Sequence, residues 1–537
     1  MLSTLTLIAA MLGQIPAPNA AAGVARELRA ERDKLAADER ADLESIATKF
    51  EKSNDAVSAR AARAPLELRS ETNGPSRFDP LPEVVSTQDH ARAAQNSGLA
   101  SVATKAAPGA KPSTIAAEVG SSRAVYAGRF LALARRAATA SPHQFALADD
   151  CLRRALRLQP DHPEVRRLLG YVPYNGGWAT PFAKHKLDTG YVLDPNYGWV
   201  EQTWLPRLKA GELPIPPAVR GGKIRWLPAG DANRVRSDWD NAWTITTEHF
   251  FIKTNVTLQN AIRFGHMLED FHDVFQALTA DVIDDRLPLA RRFADPKAVG
   301  EGPGSTRHEV YYFATRPEFI DFLRPVQGDS IEKSLGLYLP PTGRAKRGRA
   351  YFFHDPDGEI DSTSTLFHEV SHQLLCESGV IAAYERNAGH YWVIEGLGTY
   401  FETFTIRPDG VLEVGGPVGP RMARARLRII QRGEYVSLEQ LAAMRHKAFN
   451  VEPDIYLHYA ESMALTAFFM QARDGTYRDG YLAYARDVVR GRVKPGGARA
   501  LDDRLGVPYK TLDAEFLAYL KEAAPEQEEV RRPAVKE

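Results

Sequence analysis

Two histidines flank a glutamate within five residues, His368-Glu369-Val370-Ser371-His372. The surrounding stretch, Thr365 to Leu375, reads as a helix. A four-residue step returns to the same helical face, so both imidazoles project to one side. Two neutral imidazoles placed that way can bind one Zn²⁺. The carboxylate beside them can then take a proton from a water that the metal activates. The plain alternative is an amphipathic helix with two surface histidines.

A second helical stretch, Tyr391 to Glu402, places Glu395 23 positions after His372. The end of the first helix and a loop fit in that gap, so the second helix can cross the first. Gly396 and Gly398 are poor helix formers, and their expected value is close approach of two backbones. Glu402 lies two turns beyond Glu395, on the same face. A carboxylate there can accept the second N–H of a liganding imidazole and fix its tautomer. Solvated helix carboxylates are the bland reading of both glutamates.

These residues resemble the gluzincin zinc metallopeptidases, which include thermolysin and the aminopeptidase N family. Those enzymes carry H-E-x-x-H and a third ligand Glu on a later helix. In the aminopeptidase branch that Glu stands in W-x-x-E-G, matched by Trp392-Val393-Ile394-Glu395-Gly396. The resemblance implies His368, His372 and Glu395 as zinc ligands and Glu369 as general base. The gap to Glu395 is a few residues longer than the family's. His390, after Asn387-Ala388-Gly389, is a competing third ligand. The metzincin pattern fails, because Leu375 and Ser378 stand where its glycine and histidine belong.

The aminopeptidase branch also places an oxyanion-stabilising tyrosine on a later helix. The resemblance puts Tyr459, 64 positions after Glu395, in that role. His458 and Tyr456 are the fallback donors, and a core aromatic is the alternative, given Leu457, Phe468 and Phe469 nearby. The match covers roughly residues 350–470. The exopeptidase signature G-x-M-E-N is absent, so aminopeptidase activity does not follow, and the chain is similar to peptidase MA-like families of unknown specificity. Gluzincins set a sheet with an edge strand before the metal helix. Tyr351-Phe352-Phe353 is assigned to that strand, where a peptide substrate could pair.

The chain has 537 residues, 44% hydrophobic and 25% charged, with 68 basic and 68 acidic side chains. That balance favours neither nucleic acid nor an anionic membrane as partner. Cys151 and Cys376 imply no disulfide framework. Leu5–Leu12 is a short apolar run followed by small residues, similar to a signal peptide although no basic residue precedes Arg26. Export to the periplasm or medium is the expectation, with no transmembrane segment beyond that leader.

The elements that must position the site give an α+β fold. A mixed sheet is followed by a mainly helical, gluzincin-like catalytic half. A helical, tetratricopeptide-like region precedes both. The boundaries are 1–22, a leader; 23–120, a charged exposed helix (Glu27–Phe50) and a disordered linker; and 121–240, a helical hairpin and a Trp/Gly-rich β region. Then come 241–355, the β-rich half of the peptidase domain; 356–525, the helical zinc-binding half; and 526–537, a tail. Six of the seven tryptophans, Trp178 to Trp243, are expected to pack as a small core. Arg344, Lys346, Arg347 and Arg349 read as a solvated loop tip. Asp361, Ser362 or Ser364 is the expected cap of the metal helix, and Ser437 caps a later one. The function expected is peptide-bond hydrolysis. A non-catalytic scaffold of the same fold, with the helical region making the contacts, is the reading from another class. Hydrolysis of a non-peptide amide or ester shares the same metal chemistry.

Overall fold

The structure is a computed structural model that describes residues 18–53, 56–63, 74–86, 114–216, 222–283, 288–300, 306–342, 347–355, 362–378, 389–417, 419–451, 454–493 and 500–522. Most of the leader and of the linker, Arg344, Lys346, Asp361 and the tail lie outside these residues. The protein is α+β, a mixed sheet followed by helices. Among the described residues no helix is long and apolar enough to cross a membrane.

Helix α1 (Pro18–Lys52) corrects the expectation of an exposed helix. Leu28, Ala36, Leu43, Ala47 and Phe50 recur at helical spacing and are buried, against the helix Ala56–Arg63 and against α2 (Thr114–Thr139). Three of the seven buried apolar residues of α1 are alanines, so the charged residues around the stripe dominate the composition. α2 packs on α3 (Phe145–Leu158), the expected helical pair. The 71–120 stretch is not all linker. It supplies strands β1 (Ser76–Phe78) and β2 (Val84–Val85), and β1 pairs with Leu412–Val414 in the helical half.

The Trp-rich region forms three short hairpins. They are β3–β4 (Val172–Tyr174, Gly177–Ala179), β5–β6 (Tyr191–Asp194, Gly198–Glu201) and β7–β8 (Glu212–Ile215, Arg225–Pro228). Trp243, with partly buried Trp204 and Trp226, enters one small core. Trp239 instead stacks on Phe313 at 4.1 Å, so the indoles do not share one cluster.

The central sheet contains β9 (Trp243–Thr246), β10 (Phe250–Thr254), β11 (His308–Phe313), β12 (Leu337–Leu339) and β13 (Arg349–Phe353). Its order is β12-β13-β11-β10-β9, with β10, β11 and β13 parallel and the two edges antiparallel. The edge strand before the helix of residues 362–377 is therefore β12. Tyr351-Phe352-Phe353 lies inside the sheet, because β12 pairs along its open side. Side chains alternate across the strands. Val310, Tyr312, Ala350 and Phe352 face the core shared with α4 (Leu258–Ile283) and α5 (Ser362–Glu377). Phe313, Tyr351 and Phe353 pack with Phe319 and Leu323 of the helix Arg316–Gln327.

Arg347 and Arg349 are not a loose tip. Arg347 Nη1 donates to Glu377 Oε2 at 2.9 Å, and Arg349 Nη2 to Glu309 Oε2 at 2.6 Å. Both thiols are free, Cys151 in α3 and Cys376 in α5. Beyond α5 the chain is helical, as expected, through α6 (Trp392–Phe401), α7 (Pro420–Ala425), α8 (Ile455–Gly475) and α9 (Arg478–Val489). Ser437 forms a capping box with Gln440.

Candidate metal centre

α5 begins at Ser362 and is held to the sheet by its apolar face, Leu366, Phe367, Val370 and Leu374. Gln373 Nε2 also donates to Glu309 O at 3.0 Å. That anchoring turns the opposite face, with His368 and His372, toward α6. All ten residues of α6 are buried. Full burial of side chains such as Val393 and Leu397 contributes about 1.5–3 kcal/mol each. That gain holds the carboxylate of Glu395 inside a core it would otherwise avoid.

The two glycines act on different neighbours. A Cβ on Gly396 would lie 2.5 Å from Thr466 Oγ1 and 3.0 Å from Ser462 O, so this glycine lets α6 close onto α8. A Cβ on Gly398 would lie 3.0 Å from His368 Cε1 and 3.1 Å from His368 Nδ1. That glycine makes room for the imidazole itself.

Three ligand atoms converge. His368 Nε2 and His372 Nε2 are 3.0 Å apart, and Glu395 Oε2 lies 3.3 Å from the first and 3.5 Å from the second. Tetrahedral bonds of 2.0–2.2 Å to a zinc ion require edges of about 3.4 Å. The two rings meet at 82°, so their in-plane lone pairs can point at one atom. The donor set, two imidazoles and a carboxylate, suits zinc. On the far side, His368 Nδ1 lies 3.0 Å from Glu402 Oε1. Arg421 Nη2 donates to the same oxygen at 2.7 Å and Arg421 Nε to Glu402 Oε2. Glu402 is thus fixed by a two-pronged guanidinium and in turn orients the ring.

Burial opposes a charged His368, but Glu395 and Glu402 push its pKa up to about 10. Burial would raise Glu395, yet His372 and His368 hold it well below the usual carboxylate range. A buried acid kept ionised among imidazoles is what a cation site presents. Burial raises Glu369, with the two histidines opposing. Its Oε2 accepts the N–H of Tyr338 on the edge strand at 2.9 Å.

Tyr459 lies against the centre. Its ring stacks on His368, centroids 6.1 Å apart, with the Arg421 guanidinium 5.3 Å above it. Burial and the charges of Glu395 and Glu369 hold its phenol well above the ordinary value. The competitors are elsewhere. Tyr456 is 52% exposed. His458 Nδ1 is bonded to Phe449 O, and His390 Nδ1 to Tyr484 Oη, each at 2.7 Å. The sequence reading missed Arg421 and the Tyr338 N–H, and no spacing in the chain signals either.

Residues 362–487, the stretch that carries both helices of the centre and Tyr459, match a family described as proteins of unknown function (DUF1570). No curated protein matches the chain.

Proposed function

We propose that the protein is a zinc-dependent, gluzincin-like metallopeptidase. The observation that carries this reading is the convergence of His368 Nε2, His372 Nε2 and Glu395 Oε2 beside a half-buried Glu369 that is not a ligand. A purely structural site has no use for that fourth group. When bound, Zn²⁺ supplies Lewis acidity toward a scissile carbonyl and lowers the pKa of water toward about 7. Glu369 takes the proton from that water and delivers it to the leaving amine. Tyr459 donates its hydroxyl hydrogen to the developing oxyanion. Glu402, set by Arg421, holds His368 in the tautomer that presents Nε2. The substrate is a peptide or protein.

The test is cleavage of a peptide library by the zinc-loaded protein, suppressed by a chelator and restored by zinc. Zinc-loaded protein that cleaves no peptide would leave the scaffold reading, with the helical region making the contacts, or an ester or non-peptide amide substrate. In the same assay Tyr459→Phe is expected to lower kcat about 10²–10³-fold, the scale of a lost oxyanion donor, with zinc content unchanged. Wild-type turnover in that variant removes Tyr459 from the mechanism. Export belongs to the same proposal. Mass spectrometry of native material should find a terminus near Ala22 or Gly23, and an intact Met1 on exported protein refutes it.

A further inference from the structure

A second group of ligating side chains lies outside the centre, on the wall of a cavity of about 390 Å³ at the C-terminal end of α5. His249 ends the turn between β9 and β10. Glu269 and His272 stand one turn apart on α4, a spacing that puts both on the face toward that turn. The turn is clamped to the helix: His249 N–H donates to Glu269 Oε1 at 2.8 Å, and His249 Nδ1 lies 2.6 Å from Glu269 Oε2. The ligand atoms of His249, Glu269 and His272 all lie within 4.8 Å of one another. Among the described residues only this trio and the centre itself meet that condition. One turn beyond His272, the buried oxygen Gln276 Oε1 has no hydrogen-bond partner among the described residues. Glu83 and Glu248 line the same cavity, together with Arg153, Arg292 and Arg347.

We propose that His249, Glu269 and His272 bind a second divalent transition-metal ion at this cavity. Two imidazole nitrogens and one carboxylate oxygen suit Zn²⁺ or Co²⁺ better than the oxygen-seeking Mg²⁺ or Ca²⁺. A His–Glu ion pair accounts for the first two residues. It leaves the unpaired oxygen of Gln276 beside an imidazole stacked against the pair inside the protein, His272 being 9% exposed with its Nε2 3.4 Å from Gln276 Nε2. His249 Nδ1 and Glu269 Oε2 close on the place where the ion would sit, and loading would open their 2.6 Å contact to the roughly 3.4 Å edge of a coordination shell. The two rings stack at 3.9 Å with 20° between their planes, so their lone pairs run side by side. Sharing one ion therefore turns a ring. His249, whose side chain is 23% exposed, has the room, while His272 is fixed in the helix.

The deciding experiment uses the full chain, stripped of metal and dialysed against Co²⁺. His368→Ala/His372→Ala removes the centre and is expected to retain about one Co²⁺ per chain. Adding Glu269→Gln to that variant should remove it. The proposal is overturned if the folded double variant holds no Co²⁺, or if adding Glu269→Gln leaves its content unchanged. Far-UV circular dichroism checks folding. An independent arm leaves the centre intact: Glu269→Gln alone should lower the bound Co²⁺ by about one equivalent, and unchanged content also overturns the proposal. Failure of the zinc-peptidase reading looks different, since the double variant would then bind as much Co²⁺ as wild type.

Discussion

Glu369→Gln is expected to keep the ion at the centre and to slow peptide hydrolysis by about 10²–10⁴-fold, the usual contribution of a positioned base. The substitution is nearly isosteric, and the amide oxygen can still accept the Tyr338 N–H that Glu369 Oε2 holds at 2.9 Å. Neither ligand geometry nor the edge strand should move, so the loss should fall on kcat, with KM little changed. Equal turnover in the variant would remove the assigned base. The pH profile offers a second check. Burial raises the Glu369 carboxyl, so the acid limb of kcat/KM should lie above the ordinary carboxyl value of 4.5.

His368→Ala should lose one equivalent of zinc and all hydrolysis that depends on it. One of three ligands disappears, and Glu395, 3% exposed, loses one of the two imidazoles that keep it ionised. Breaking a buried charged pair typically costs about 3–5 kcal/mol, so a lower Tm accompanies the lost ion. The pH dependence of the metal-free protein has a definite sign. The pKa of His368 is raised from 6.5 to about 10. Its contribution to stability is therefore fully present below 6.5 and is lost as pH rises through about 10. Metal-free wild type should weaken across that window by more than metal-free His368→Ala does. Zinc affinity runs the other way and rises with pH, because the ion displaces the proton. Equal zinc content in wild type and variant would sink the assignment of this ligand.

The five-residue motif was legible because a short spacing fixes a helical face without knowledge of the fold. Glu395 and Glu402 followed for the same reason, once a second helix was read around Trp392. Tyr459 was harder to separate from Tyr456 and His458. The three lie within four residues, and only the way α8 packs decides that Tyr459 meets His368 while Tyr456 faces solvent. Arg421 left no trace, since its partner Glu402 is 19 residues away across a loop and a strand pair. Residues 76–78 were read as linker because a three-residue strand has no periodicity, and its partner lies at 412–414. The buried stripe of α1 was hidden by alanines. Glu269 and His272 carry the i,i+3 spacing that could have drawn attention to them, but His249 joins them only through the fold.

The helix that carries Glu395 has no face on solvent. Each of its ten positions answers to packing as well as to chemistry. Its surroundings differ on every side: an imidazole against Gly398, a helix backbone against Gly396, aromatic rings against Trp392 and Tyr400. Such a segment has no silent position. A substitution anywhere from 392 to 401 therefore has to be matched by a change in its neighbours.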